Sequence, residues 1–76
     1  MPRIPVIKVK DFCELLVKYG CVEVSIRGSH HKIHNPSTGM TSIVAVHSSQ
    51  DLDRGSFTGI LGQLGIDLGE FLKFIS

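Results

Sequence analysis

At Gly20 the spacing of apolar residues in this 76-residue chain changes period. Before it, Val9, Phe12, Cys13, Leu16 and Tyr19 fall at i, i+3, i+4, i+7 and i+10, the stripe of an amphipathic helix. Lys10, Asp11, Glu14 and Lys18 take most of the other side, and Glu14–Lys18 is a supportive i, i+4 pair. Gly20 supplies the stop and Lys18 suits the last turn. After Gly20 the chain alternates: Val22, Val24 and Ile26 point one way, Glu23, Ser25 and Arg27 the other. A strand therefore runs to Arg27. Gly28 permits a turn, and Ser29 to His34 returns as a second strand.

Asn35-Pro36-Ser37-Thr38-Gly39 is dense in turn formers and predicts a hairpin loop. A third strand follows from Thr41 to His47, with Val44 and Val46 as its inward pair. Past a polar loop, Phe57, Ile60, Leu61 and Leu64 give a second helical stripe over 55–64, with Asp53 as N-cap and Gly65 as stop. Gly59 and Gly62 share one flank of that helix, each costing about 1 kcal/mol against alanine. They mark either a close approach by another backbone or local slack. Asp67 and Glu70 have capping-box spacing and open a last short helix striped by Leu68, Phe71, Leu72 and Ile75. Residues 1–7, apolar and proline-rich, form an extended arm along the body. The expected fold is one α+β domain over 1–76. It has two layers: a three-stranded antiparallel sheet in α-β-β-β-α order, and a short C-terminal helix.

The stretch from Arg27 to His34 concentrates the chemistry, holding three of four histidines and two of eight Lys and Arg residues. On a strand, His31 and Ile33 share one face while His30, Lys32 and His34 share the other. If Ile33 enters the core, His31 lies beside it as a partly buried structural residue. His30, Lys32 and His34 then line the open face as a stripe that titrates near neutral pH.

Elsewhere the sequence mostly excludes. A formal charge of +1 gives no whole-protein basic field, so any nucleic-acid site is local. The uncharged Met40–Gln50 run is too short and too polar to span a bilayer, and the N-terminus lacks the features of a signal peptide. With Cys13 and Cys21 as the only cysteines, reduced buried thiols in a cytoplasmic domain are expected. No zinc site or other cofactor is expected. His30 and His34 stand about 13 Å apart along a strand, and His30 and His31 diverge.

Several motifs then combine: Gly28-Ser29-His30-His31, Val46-His47, Asp51-Leu52-x-x-Gly55-Ser56, Ile60-Leu61-x-Gln63-x-Gly65-Ile66 and Glu70-Phe71-Leu72. Spread along nearly the whole chain, they resemble the HicA toxin family, also called YcfA-like. The opening Met1-Pro2-Arg3-Ile4-Pro5 is similar to a common start of its members. The resemblance implies a double-stranded-RNA-binding-like fold, a ribosome-independent endonuclease acting on mRNA, and a HicB-type antitoxin that masks the RNA-facing surface. It assigns catalysis to the histidine of Gly-Ser-His, which is His30. Arg27 and Lys32, with Ser29 of the same turn, are the expected RNA contacts, and His47 is a further candidate beside His30. Two departures stand out. Ala45 occupies a position where a proline often precedes Val-His, and residues 55–64 contain no Lys or Arg. The rival reading is a non-catalytic RNA-binding or protein-interaction module on the same fold.

Overall fold

The computed structural model describes residues 3–47 and 49–76, so the expected arm is seen only from Arg3. The element order is α1 (Val9–Tyr19), β1 (Val22–Arg27), β2 (His30–Asn35), β3 (Met40–Ala45), α2 (Arg54–Gln63) and α3 (Leu68–Ile75). The strands form one antiparallel sheet in the order β1-β2-β3. This is the α+β architecture that the change of period predicts.

The helices cover one side of the sheet. Phe12 of α1, Phe57 of α2 and Phe71 of α3 are fully buried, and their rings meet at 4.9 Å (Phe12–Phe57), 5.7 Å (Phe12–Phe71) and 5.9 Å (Phe57–Phe71). Burying each such ring contributes about 1.5–3 kcal/mol, so this triad is the main bond between the three helices. Leu16, Ile33, Val44, Leu61 and Leu64 complete the centre, and Val46 packs partly against it. All four residues of the second helical stripe are buried. The third helix buries Phe71, with Leu68, Leu72 and Ile75 packed at its margin.

Both predicted caps form. Asp53 accepts from the Ser56 amide at 3.0 Å, and Asp67 from the Glu70 amide at 3.0 Å. Helix α2 begins at Arg54, one residue earlier than expected, because Asp53 caps it there; it therefore carries one cation in its first turn. Gly59 and Gly62 have open space where a side chain would stand, so no backbone within the described chain approaches them.

The carbonyl of Leu64, at the end of α2, accepts from Asn35 Nδ2 and from Thr38 Oγ1, both at 2.8 Å. These bonds satisfy a helix-end carbonyl and latch the β2–β3 loop onto α2. Gly65 follows at φ 68°, and a side chain there would meet Met40 Sδ at 2.8 Å and Thr38 Cγ2 at 2.9 Å. Glycine is needed here for both its backbone and its bulk. At the other end of the layer the arm is tied down. The Leu52 amide donates to the Ile7 carbonyl at 2.8 Å, and Lys8 pairs with Asp51 at 2.8 Å.

Strand β1 departs from simple alternation. Its pairing with β2 matches Glu23 to Ile33 and then Ser25 to Lys32, leaving Val24 as an extra residue in a β-bulge. Val22 and Ile26 therefore lie on opposite faces, since Val22 pairs with His34 and Ile26 with His31. Glu23 joins the helix-covered face, while Ser25 and Arg27 join the open one. Every residue of β1 is exposed, since α1 only grazes this edge of the sheet.

Candidate functional site: the open face of the sheet

The three strands set out the open face as two neighbouring rows. Arg27, His30 and Ala45 are matched across the sheet, and beside them Ser25, Lys32 and Ile43. Directly opposed residues in such pairs have Cβ atoms about 4.5–5.5 Å apart. Arg27, His30 and Lys32, together with Ser25 and Ile43, line one hollow of about 350 Å³. All five are exposed. Two fixed cations therefore flank one imidazole on a rigid floor, where a phosphate can be held and a proton moved.

Gly28, at φ 59°, makes the tight β1–β2 turn that places Arg27 opposite His30. Ser29 lies in this turn, and its carbonyl accepts from the Val46 amide at 2.7 Å, extending the pairing beyond β3. Its side chain does not line the His30 hollow. His34 lies in the next row, with Nδ1 3.2 Å from Thr41 Oγ1.

His31 goes the other way. It is half-buried under α1, where its Nδ1 pairs with the Glu23 carboxylate. Both line a cleft of about 420 Å³ between α1 and the sheet, together with Cys13 and Val46. Burial, with Glu23 and then Glu14 nearby, pushes the Cys13 thiol up to about 11, and burial also raises that of Cys21. Both are free thiols and protonated at neutral pH. His47, expected to end the third strand, falls beyond its last residue, Ala45. It lines the adjoining groove between β3 and α2 with Ser56, Gly59 and Gln63, and Ile43 is shared by this groove and the His30 hollow. The structure thus groups His30 with Arg27 and Lys32, and sets His31 and His47 elsewhere.

Residues 9–66 match the family model described as HicA toxin of bacterial toxin-antitoxin. The chain belongs to the HicA toxin family. The match runs from the first residue of α1 to Ile66, just past α2, and so includes the whole sheet and both rows of its open face. Comparison with curated proteins returns no match. As a HicA toxin, the chain is the toxin component of a toxin–antitoxin pair. Among the described residues, no helix is long and apolar enough to cross a membrane. Nor, among them, do three His, Cys, Asp or Glu side chains converge as a metal site would require. Sequence reasoning missed two members of the hollow, Ser25 and Ile43. Their positions follow only from the register of β1 and β3 against β2.

Proposed function

We propose that the open face is the active surface of a metal-independent mRNA endoribonuclease, with His30 as its proton-transfer residue. The observation that carries this reading is the convergence of Arg27, His30 and Lys32 in one exposed hollow, in a chain of the HicA family. The neutral imidazole of His30 takes the proton of a 2′-hydroxyl as that oxygen attacks the adjacent phosphorus. The bond from phosphorus to the 5′-oxygen breaks, and the leaving oxygen takes up a proton from the imidazolium or from solvent. Arg27 and Lys32 hold the phosphate and offset the charge gathering on it. Ser29, in the turn beside this face, is a further RNA contact.

A face that cuts mRNA in the cytoplasm must be covered in a growing cell. The same reading therefore includes a HicB-type antitoxin, acidic where it meets Arg27 and Lys32, that buries His30. The test is a matched pair of proteins free of antitoxin, wild type and His30→Ala, given labelled RNA in EDTA. Cleavage by the first and none by the second supports the reading. Undiminished cleavage by folded His30→Ala removes His30 from the mechanism.

One observation favours a second reading, a non-catalytic RNA-binding or protein-interaction module. Helix α2 carries Arg54 as its one cation, and the rest of its exposed side is Gly55, Thr58, Gly59, Gly62 and Gln63. A wild-type protein that binds RNA but cleaves none would establish that alternative.

A further inference from the structure

We infer that Ile43 is the seat of an unpaired nucleobase, so that the toxin selects single-stranded over duplex RNA. The inference rests on the RNA reading above and extends it to the substrate's form. Ile43 pairs directly with Lys32 and is 63% exposed, a large apolar side chain inside a hollow otherwise lined by Ser25, Arg27, His30 and Lys32. On a face of cations and histidines, it is, among the described residues, the one large apolar side chain that the hollow offers to a ligand.

The layout around it fits a nucleotide. Small residues stand at two corners of the rows, Ser25 opposite Lys32 and Ala45 opposite His30, which keeps the floor low on either side of the cation–imidazole diagonal. Two residues along a strand is about 7 Å and one and a half strand spacings about another 7 Å, so Ile43 lies about 10 Å from the position between Arg27 and His30, within one nucleotide's reach. A strand whose phosphate is held by Arg27 and Lys32 can lay the face of a neighbouring base on the Ile43 side chain, with the Ser25 hydroxyl near the base edge. An A-form duplex cannot. Its bases stay stacked inside, and what it presents to a protein face is phosphate and 2′-hydroxyl, against which an exposed isoleucine is idle. Charge decides the class of ligand: the cations call for a polyanion, and the apolar contact calls for one whose flat faces are free.

The experiment uses the His30→Ala protein, so that RNA survives, with and without a second change, Ile43→Ser. Ile43 is an exposed side chain, and circular dichroism checks that both variants fold. Binding is measured for a labelled mixed-sequence RNA 12-mer as a single strand, as a perfect duplex, and as single strands carrying one abasic site at successive positions. The expected result is preference for the single strand, and one abasic position that weakens binding several-fold. Ile43→Ser should weaken the intact strand by a similar factor and leave the duplex and that abasic strand unchanged. In the His30-intact protein, Ile43→Ser should slow cleavage of the same strand several-fold.

Equal binding of single strand and duplex, or an Ile43→Ser loss shared equally by both, overturns the inference. So does a loss of affinity for an acidic protein partner with RNA binding untouched, which would make Ile43 a protein contact. If wild type cleaves RNA normally and Ile43→Ser changes nothing, only this inference falls. If wild type neither binds nor cleaves any RNA offered, the RNA reading falls with it.

Discussion

Glu23 meets the Nδ1 of His31 on the helix-covered side of the sheet, one residue along the chain from His30 on the open side. Two adjacent histidines thus have separate surroundings. His31→Ala should leave the partly exposed Glu23 carboxylate without its partner and cost about 1 kcal/mol of stability or less, read from denaturant melts, while RNA cleavage persists. His30→Ala should do the reverse, with an unchanged melt and cleavage reduced by about 10²–10⁴-fold. If His31→Ala removed cleavage without affecting stability, the two roles would have to be exchanged.

Arg27 faces His30 across the sheet and Lys32 stands two residues along β2 from it, so that in the proposed reading both hold one phosphate group. Arg27→Ala and Lys32→Ala should each weaken RNA binding. Each should also flatten the plot of log affinity against log salt by about 0.7, the share of one contact to a single strand. Titrations at several salt concentrations check this. An unaltered slope for either variant would place that cation outside the RNA contact.

Leu61 is 1% exposed beneath the sheet, between the phenylalanine triad and the end of α2. Truncation there opens a cavity that neighbours can only partly fill. Leu61→Ala should cost about 2–5 kcal/mol, a large part of the roughly 5–15 kcal/mol available to a domain. Urea melts give the number directly. A loss below about 0.5 kcal/mol, the level of a neutral surface change, would contradict the packing described.

The Cys13 thiol, held near 11 in the folded chain against an ordinary value of 9.0, makes stability depend on alkaline pH. A raised folded value stabilises fully below the unfolded value, and that contribution fades as pH rises through the folded one. Stability should therefore decline between about pH 9 and pH 11, and Cys13→Ala should lessen the decline. Thermal melts across that range measure it. Alkylation of native protein at neutral pH should be slow at both Cys13 and Cys21, since the reactive species is the thiolate.

Much of this was legible in the chain because helix and strand periods are local properties. Val9 to Tyr19, Phe57 to Leu64, the Asp53 and Asp67 caps and the division of His30 from His31 all follow from residues a few positions apart. What escaped depends on partners far away in sequence. The extra residue Val24 is defined only against β2, so the expected common face of Val22, Val24 and Ile26 does not exist. His47 was expected within a strand, but pairing stops short of it. Ile43 was already turned outward by its alternation with Val44 and Val46, but its place beside Lys32 in the hollow depends on the register.

The bulge at Val24 has a consequence for how this surface can change. Because the Gly28 turn fixes Arg27 against His30, the bulge decides where the beginning of β1 points. Paired residue for residue, the same strand would set Val24 against Ile33 and carry Glu23 to the open face, beside the cations, and His31 would lose its carboxylate. Deleting the Val24 codon would do neither: Arg27 would still oppose His30, Glu23 would still oppose Ile33, and only the bend would go. The extra residue is therefore spare in the chain's length, and what the surface depends on is the slip that absorbs it.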